Sequence, residues 1–99
     1  MFGLEQCDID AICGCFAKFS SIREVIIYGS RAKGNYRSGS DIDLTIIGDD
    51  ISFSDMAVLD CAIDDLMLPY KFDLSLKRKI SNPDLIEHIN RVGQIFYRK

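Results

Sequence analysis

Two short apolar runs, Val25-Ile26-Ile27-Tyr28 and Leu44-Thr45-Ile46-Ile47, flank a polar stretch, GSRAKGNYRSGSDID, that fills positions 29–43. This arrangement constrains the fold more than any other feature. Each run has the length and composition of a β-strand. The first is apolar on both faces, as a strand inside a sheet must be. A strand that ends in Gly29-Ser30 and turns into a short helix points free backbone N–H groups outward. Such donors, with a small hydroxyl and no Cβ at Gly29, suit a polyphosphate.

The far end of the stretch carries a second device. Asp41-Ile42-Asp43 opens the second strand, and side-chain alternation puts both acids on one face, their Cα atoms roughly 6.5 Å apart. Ile42 and Leu44 take the opposite face. Two carboxylates so spaced can grip a hard cation such as Mg²⁺, which accepts few protein oxygens and completes its shell with substrate phosphates. Phosphate handling at Gly29 and cation handling at Asp41 and Asp43 thus share one strand–turn–strand unit.

Gly29-Ser30, ten intervening residues, then Asp41-x-Asp43 resembles the signature of the DNA-polymerase-β-like nucleotidyltransferase superfamily. More narrowly, the chain resembles its minimal branch, the small nucleotidyltransferases paired with a HEPN-type helical protein. The likeness extends from Phe2-Gly3-Leu4 through the central motif to Asp73 in a late apolar strand. It departs at Lys33, where the family usually has arginine; lysine keeps the charge and loses the bidentate fork. The resemblance implies an α/β (α+β) fold, a small mixed sheet of about three strands with helices packed on one face. It implies transfer of a nucleoside monophosphate, AMP from ATP or its equivalent from another triphosphate, to an acceptor hydroxyl. Asp41, Asp43 and Asp73 would be the catalytic and metal-binding acids, with two Mg²⁺ ions. Gly29 and Ser30 would bind phosphate, helped by Lys33 and by Arg31, which could equally pair with an acid. Asp73 shares a strand face with Lys71 and Ser75, opposite Phe72, Leu74 and Leu76. Alternation permits it to stand beside Asp41 and Asp43, and the resemblance implies that it does. The plainer reading is a charge that keeps an edge strand from aggregating.

Composition sets limits. Ninety-nine residues, read as one domain over 1–99, with 47% hydrophobic content, can bury a single core without staples. A net charge of −3 speaks against a large basic nucleic-acid footprint, while leaving room for a local basic patch. No apolar run approaches a membrane span and the start MFGLEQCDID is acidic, so a cytoplasmic protein is expected. The cysteines, Cys7, Cys13, Cys15 and Cys61, lack the paired spacing and histidines of a zinc site and read as small, reduced, buried hydrophobes.

Helical periodicity predicts a first helix over 5–19, with Ile9, Ile12, Cys13, Phe16 and Phe19 inward. Strands follow at 23–28 and 42–47, separated by a loop over 29–39. A second helix capped by Ser54 runs to position 67, then a strand over 70–76. The last helix starts at Asn82-Pro83-Asp84 and carries Leu85, Ile89, Val92 and Phe96 on its buried stripe. His88 reads as a boundary residue of this helix and Lys77-Arg78-Lys79 as a solvated run. The expected elements use nearly all 99 positions, and the resemblance implies that a separate HEPN-type helical partner covers the acceptor side; apolar residues at the chain ends, Phe2, Leu4, Phe96 and Tyr97, are the candidate contacts. The competing class is a non-catalytic binding module, an antitoxin that acts on its partner by contact.

Overall fold

The computed structural model describes residues 2–37 and 39–99; Ser38, in the expected loop, lies outside them. Helix α1 (Gln6–Ala17) leads into strand β1 (Ile22–Tyr28), the one-turn helix α2 (Ser30–Lys33) and strand β2 (Ile42–Gly48). Helix α3 (Phe53–Asp64), strand β3 (Phe72–Leu76), a 3₁₀ turn (Lys77–Lys79), helix α4 (Pro83–Val92) and strand β4 (Gln94–Arg98) complete the order. The strands form one four-stranded sheet, β3-β2-β1-β4. β1 is antiparallel to β2 and β4, whereas β2 and β3 are parallel, joined by the crossover through α3.

The sheet has two unlike faces. Val25 and Ile27 pair with Ile46 and Leu44, and these four join Ile12 and Phe16 of α1 and Leu59 and Ile63 of α3 in one core cluster. All eight are at most 2% exposed. On the other face the cross-strand row Tyr28, Asp43, Asp73 is polar. The apolar half of the alternation thus lies under α1 and α3.

Five expectations need correction. The sheet has four strands, because the chain after α4 extends and pairs with β1. Gly93 makes this possible: it is extended (φ −63, ψ 143), and a Cβ there would overlap Ile89 O and crowd Ile26. Phe96 is therefore a strand residue. Val25 and Ile26 pair with Tyr97 and Ile95, so Phe96 is the extra residue of a bulge. Its ring and that of Tyr97 both lie against Phe16, centroids 6.4 and 5.7 Å away. Helices do not all share one face, since α4 meets β1 on the polar side, where His88 stands edge-on to Tyr28.

The third correction is the start of α3. Ser52, not Ser54, caps it: Ser52 Oγ accepts from Asp55 N–H and the Asp55 carboxylate accepts from Ser52 N–H, both at 3.1 Å. That reciprocal pair satisfies two otherwise orphan donors. The fourth concerns the chain ends. Leu4 and Phe96 are buried, Phe2 and Tyr97 half-buried, and Phe2 packs on Phe96 at 6.1 Å. They are core, and exposed large apolar side chains lie instead at Phe53, Val58, Met67, Ile95 and Tyr36. The fifth concerns the cysteines: Cys15 is buried and Cys13 half-buried, but Cys7 and Cys61 are exposed, and all four are free thiols. Among the described residues no helix is long and apolar enough to cross a membrane.

Candidate active site

The site begins where β1 ends. Gly29 has φ 76 and ψ −158, a conformation closed to side-chain-bearing residues. A Cβ at Gly29 would also fall on the Asp43 carboxylate. One glycine therefore permits both the turn and the close approach of an acid to it. The turn closes with Lys33 N–H to Gly29 O at 3.1 Å and Gly34 N–H to Ser30 O at 3.0 Å. Gly34, left-handed at φ 88, ends it.

Parallel register aligns Asp43 directly with Asp73, on neighbouring strands about 4.8 Å apart. Asp41 precedes Asp43 by two residues. Asp41 and Asp73 are exposed and Asp43 is half-buried. Burial first, then Asp73, then Asp41 push the Asp43 carboxyl above its ordinary value, and His88 pulls it back. Asp43 therefore feels both of the other acids.

Hydroxyls fill the row behind them. Ser75 Oγ donates to Thr45 Oγ1 at 3.1 Å. Burial raises the Tyr28 hydroxyl, a hydrogen bond with Ser75 lowers it, and Asp73 and Asp43 raise it further. Tyr28 and His88 border the acids, and the sequence reading passed over both in this role. Alternation could have found Tyr28, which shares its face with Asp43. No local pattern signals His88, whose Nε2 accepts from Gly29 N–H, fifty-nine residues away, at 3.2 Å.

Arg31 does not join the phosphate turn's outer surface. It is 2% exposed; Nε and Nη2 donate to Ser40 O at 3.1 and 2.9 Å, and Nη1 donates to Phe2 O at 2.9 Å. Its guanidinium also lies 5.3 Å from the Tyr36 ring centre and 5.2 Å from that of Tyr70. A fork so engaged ties the loop before Asp41 to the N-terminus, and the expected phosphate contact at Arg31 is withdrawn on that ground. Lys33 is exposed at the end of α2, free to reach an anion.

The metal expectation meets a mixed structure. Among the described residues no three His, Cys, Asp or Glu side chains converge into a ready-made cation cage. The donor set still fits a hard cation chemically: Asp43 and Asp73 are aligned on neighbouring strands, Asp41 lies two residues before Asp43, and Asp43 is held reluctant to ionise by burial and its neighbours. A cation would relieve that repulsion, and substrate oxygens would complete its shell.

Residues 10–99 match the family model described as polymerase beta, nucleotidyltransferase. The chain belongs to this family. No curated protein sequence matches it. Among solved structures this nucleotidyltransferase resembles a toxin–antitoxin crystallised with AMP-PNP, at TM-score 0.73 and 17% identity over 92% of this chain and 73% of that one. It is similar to a chain of the MntA-HepT toxin–antitoxin, at TM-score 0.69 and 15% identity over 96% of this chain and 74% of that one. A third likeness is to a chain in the tri-AMPylated Shewanella oneidensis HEPN toxin in complex with MNT antitoxin, at TM-score 0.70, 15% identity, and 97% and 74% coverage. At such identities these likenesses speak for the fold alone.

Proposed function

We propose that residues 1–99 form one minimal nucleotidyltransferase domain that moves AMP from ATP to a hydroxyl on a helical, HEPN-type partner. The observation that carries this reading is the register Asp43↔Asp73 beside Gly29. That register supports the reading by aligning two of the acids next to the glycine turn, with Asp41 two residues before Asp43. Ser30 and the N–H groups after Gly29 bind the terminal phosphates, with the exposed Lys33 as a helper. Asp41, Asp43 and Asp73 would hold Mg²⁺, which when bound neutralises the triphosphate and the departing pyrophosphate. Asp73, the more exposed acid of the aligned pair, takes the proton of the acceptor hydroxyl. The hydroxyl oxygen then bonds to the α-phosphorus as its bond to the bridging oxygen breaks and pyrophosphate leaves.

ATP as the nucleotide and a HEPN-type toxin as the acceptor are supported by the fold likeness to toxin–antitoxin complexes, one with AMP-PNP and one with an AMPylated toxin. The test is co-expression with the neighbouring gene product, then incubation with Mg·ATP and intact-mass measurement. The expected result is a partner mass gain of one or more AMP units that vanishes in Asp43→Asn. A stable complex with no mass gain at any Mg·ATP concentration would instead make the chain an antitoxin acting by contact.

A further inference from the structure

The segment after β3 reaches the phosphate turn from both ends. His88, midway along α4, accepts at Nε2 from Gly29 N–H at 3.2 Å. Its ring is edge-on to Tyr28, centroids 6.2 Å apart. Gln94, the first residue of β4, donates from Nε2 to Ala32 O at 2.9 Å. One bond fixes the residue that opens the turn and the other fixes a carbonyl near its close.

The turn needs outside support. A helix of four residues lies far below the length that holds itself together in water. Its entry residue also occupies a conformation that an unrestrained glycine would readily leave. Gly93 lets α4 descend onto β1 at Ile26, since any Cβ there would crowd that contact, and the descent brings His88 and Gln94 into range.

We propose that His88 and Gln94 are positioning residues that hold the phosphate turn in its nucleotide-ready shape, so that the α4–β4 junction sets triphosphate affinity without touching the triphosphate. The proposal rests on the phosphate-binding reading of Gly29 and Ser30. It assigns Gly29 N–H to His88 and leaves the later amides of the turn to the nucleotide.

The test uses His88→Phe, which keeps a ring against Tyr28 and drops the acceptor, and His88→Gln, which keeps an acceptor at similar reach. Amide hydrogen exchange at Gly29 is measured on the free chain, and Mg·ATP affinity by calorimetry. Gly29 should be protected in the parent and in His88→Gln, and lose protection about tenfold or more in His88→Phe. The dissociation constant should rise about fivefold to tenfold in His88→Phe and stay within about twofold in His88→Gln. If His88→Phe fails to fold, Gln94→Ala, which releases Ala32 O and leaves the Gly29 bond in place, is tested by calorimetry alone: weakened Mg·ATP binding is expected, and parent-like affinity overturns the proposal. Parent-like behaviour of His88→Phe in both measurements overturns the proposal. Equal weakening of both His88 variants overturns it too, by placing the effect in the ring. A parent that binds Mg·ATP with an unprotected Gly29 defeats the clamp alone. A parent with a protected Gly29 that binds no Mg·ATP defeats the phosphate reading, and the positioning role with it.

Discussion

The two faces of the sheet are built from the same strands, one residue out of step, and they answer to different physics. Beneath β1 and β2, Val25, Ile27, Leu44 and Ile46 meet α1 and α3 and are all but excluded from solvent. Above them, Tyr28, Asp43, Thr45, Asp73 and Ser75 form a polar field crossed by mutual repulsion. The lower face is where removing atoms costs stability, because burial and packing supply the folding energy there. On the upper face, removing charge should cost function and leave stability untouched or improved. A site built from acids that repel one another draws on the stability that the other face supplies.

The largest expected effect breaks the comparison if it fails. Asp43→Asn should lower nucleotide transfer on the order of 10⁴-fold, about 5.5 kcal/mol of transition-state stabilisation. The metal-free melting temperature should not fall. Transfer is read from partner mass gain and stability from thermal melts. A clear drop in metal-free stability would make Asp43 a structural residue and erase the division between the faces.

On the lower face Phe16→Ala should do the reverse. Phe16 is fully buried and packs edge-on to Phe96, so its loss should cost about 3–5 kcal/mol of folding stability. Urea unfolding gives the number. At temperatures where the variant remains folded, Mg·ATP affinity should match the parent's.

Arg31→Lys sharpens the boundary, because Arg31 stands beside the phosphate turn and yet points its fork at Ser40 and Phe2. A lysine replaces one of these donors and loses the stacking between Tyr36 and Tyr70. The expected cost is about 2 kcal/mol of stability, with Mg·ATP affinity within about threefold of the parent. Retained stability with a large loss of affinity would restore Arg31 to the phosphate site.

These residues also mark where the sequence was legible. Period-two alternation separates Asp41 and Asp43 from Ile42 and Leu44, and the structure keeps that separation in the buried Ile42 and Leu44. The alternation of Phe72-Asp73-Leu74 left the neighbour of β3 undecided; the family resemblance supplied it. Val92 and Phe96, four apart, mimic a continuing helical stripe. The extended Gly93 and the edge of β1 win over that local pattern, a tertiary outcome that no short window contains. The cap slipped from Ser52 to Ser54 because both serines precede the apolar run; Asp55, three residues after Ser52, was the deciding signal. The long-range contacts of Arg31 and His88 were hidden for a common reason. Phe2 and Gly29 are twenty-nine and fifty-nine residues from them, and only the closed sheet brings these together; the Ser40 carbonyl that Arg31 also holds is nine residues on, in a loop no periodic pattern describes.

The smallest expected effect tests the repulsion itself. Burial, Asp73 and Asp41 raise the Asp43 carboxyl above 3.8, its ordinary value and the one it regains on unfolding. The folded chain therefore holds this proton more tightly than the unfolded chain does. The resulting stabilisation is fully present below pH 3.8 and is lost as pH rises through the raised folded value. Asp60 is also raised, by burial and then Asp64, so the parent's curve alone mixes two groups and the difference from Asp43→Asn isolates one. Melting curves of both proteins should diverge as pH rises from the acid range toward neutrality, with the Asp43→Asn variant gaining relative stability. High salt should shrink the part of the gap due to Asp73 and Asp41 and spare the part due to burial. Parallel curves across the whole range, or a gap that opens only below pH 3.8, would mean that the acids stand too far apart, or too wet, to repel one another. The metal-site reading would then lose its physical motive.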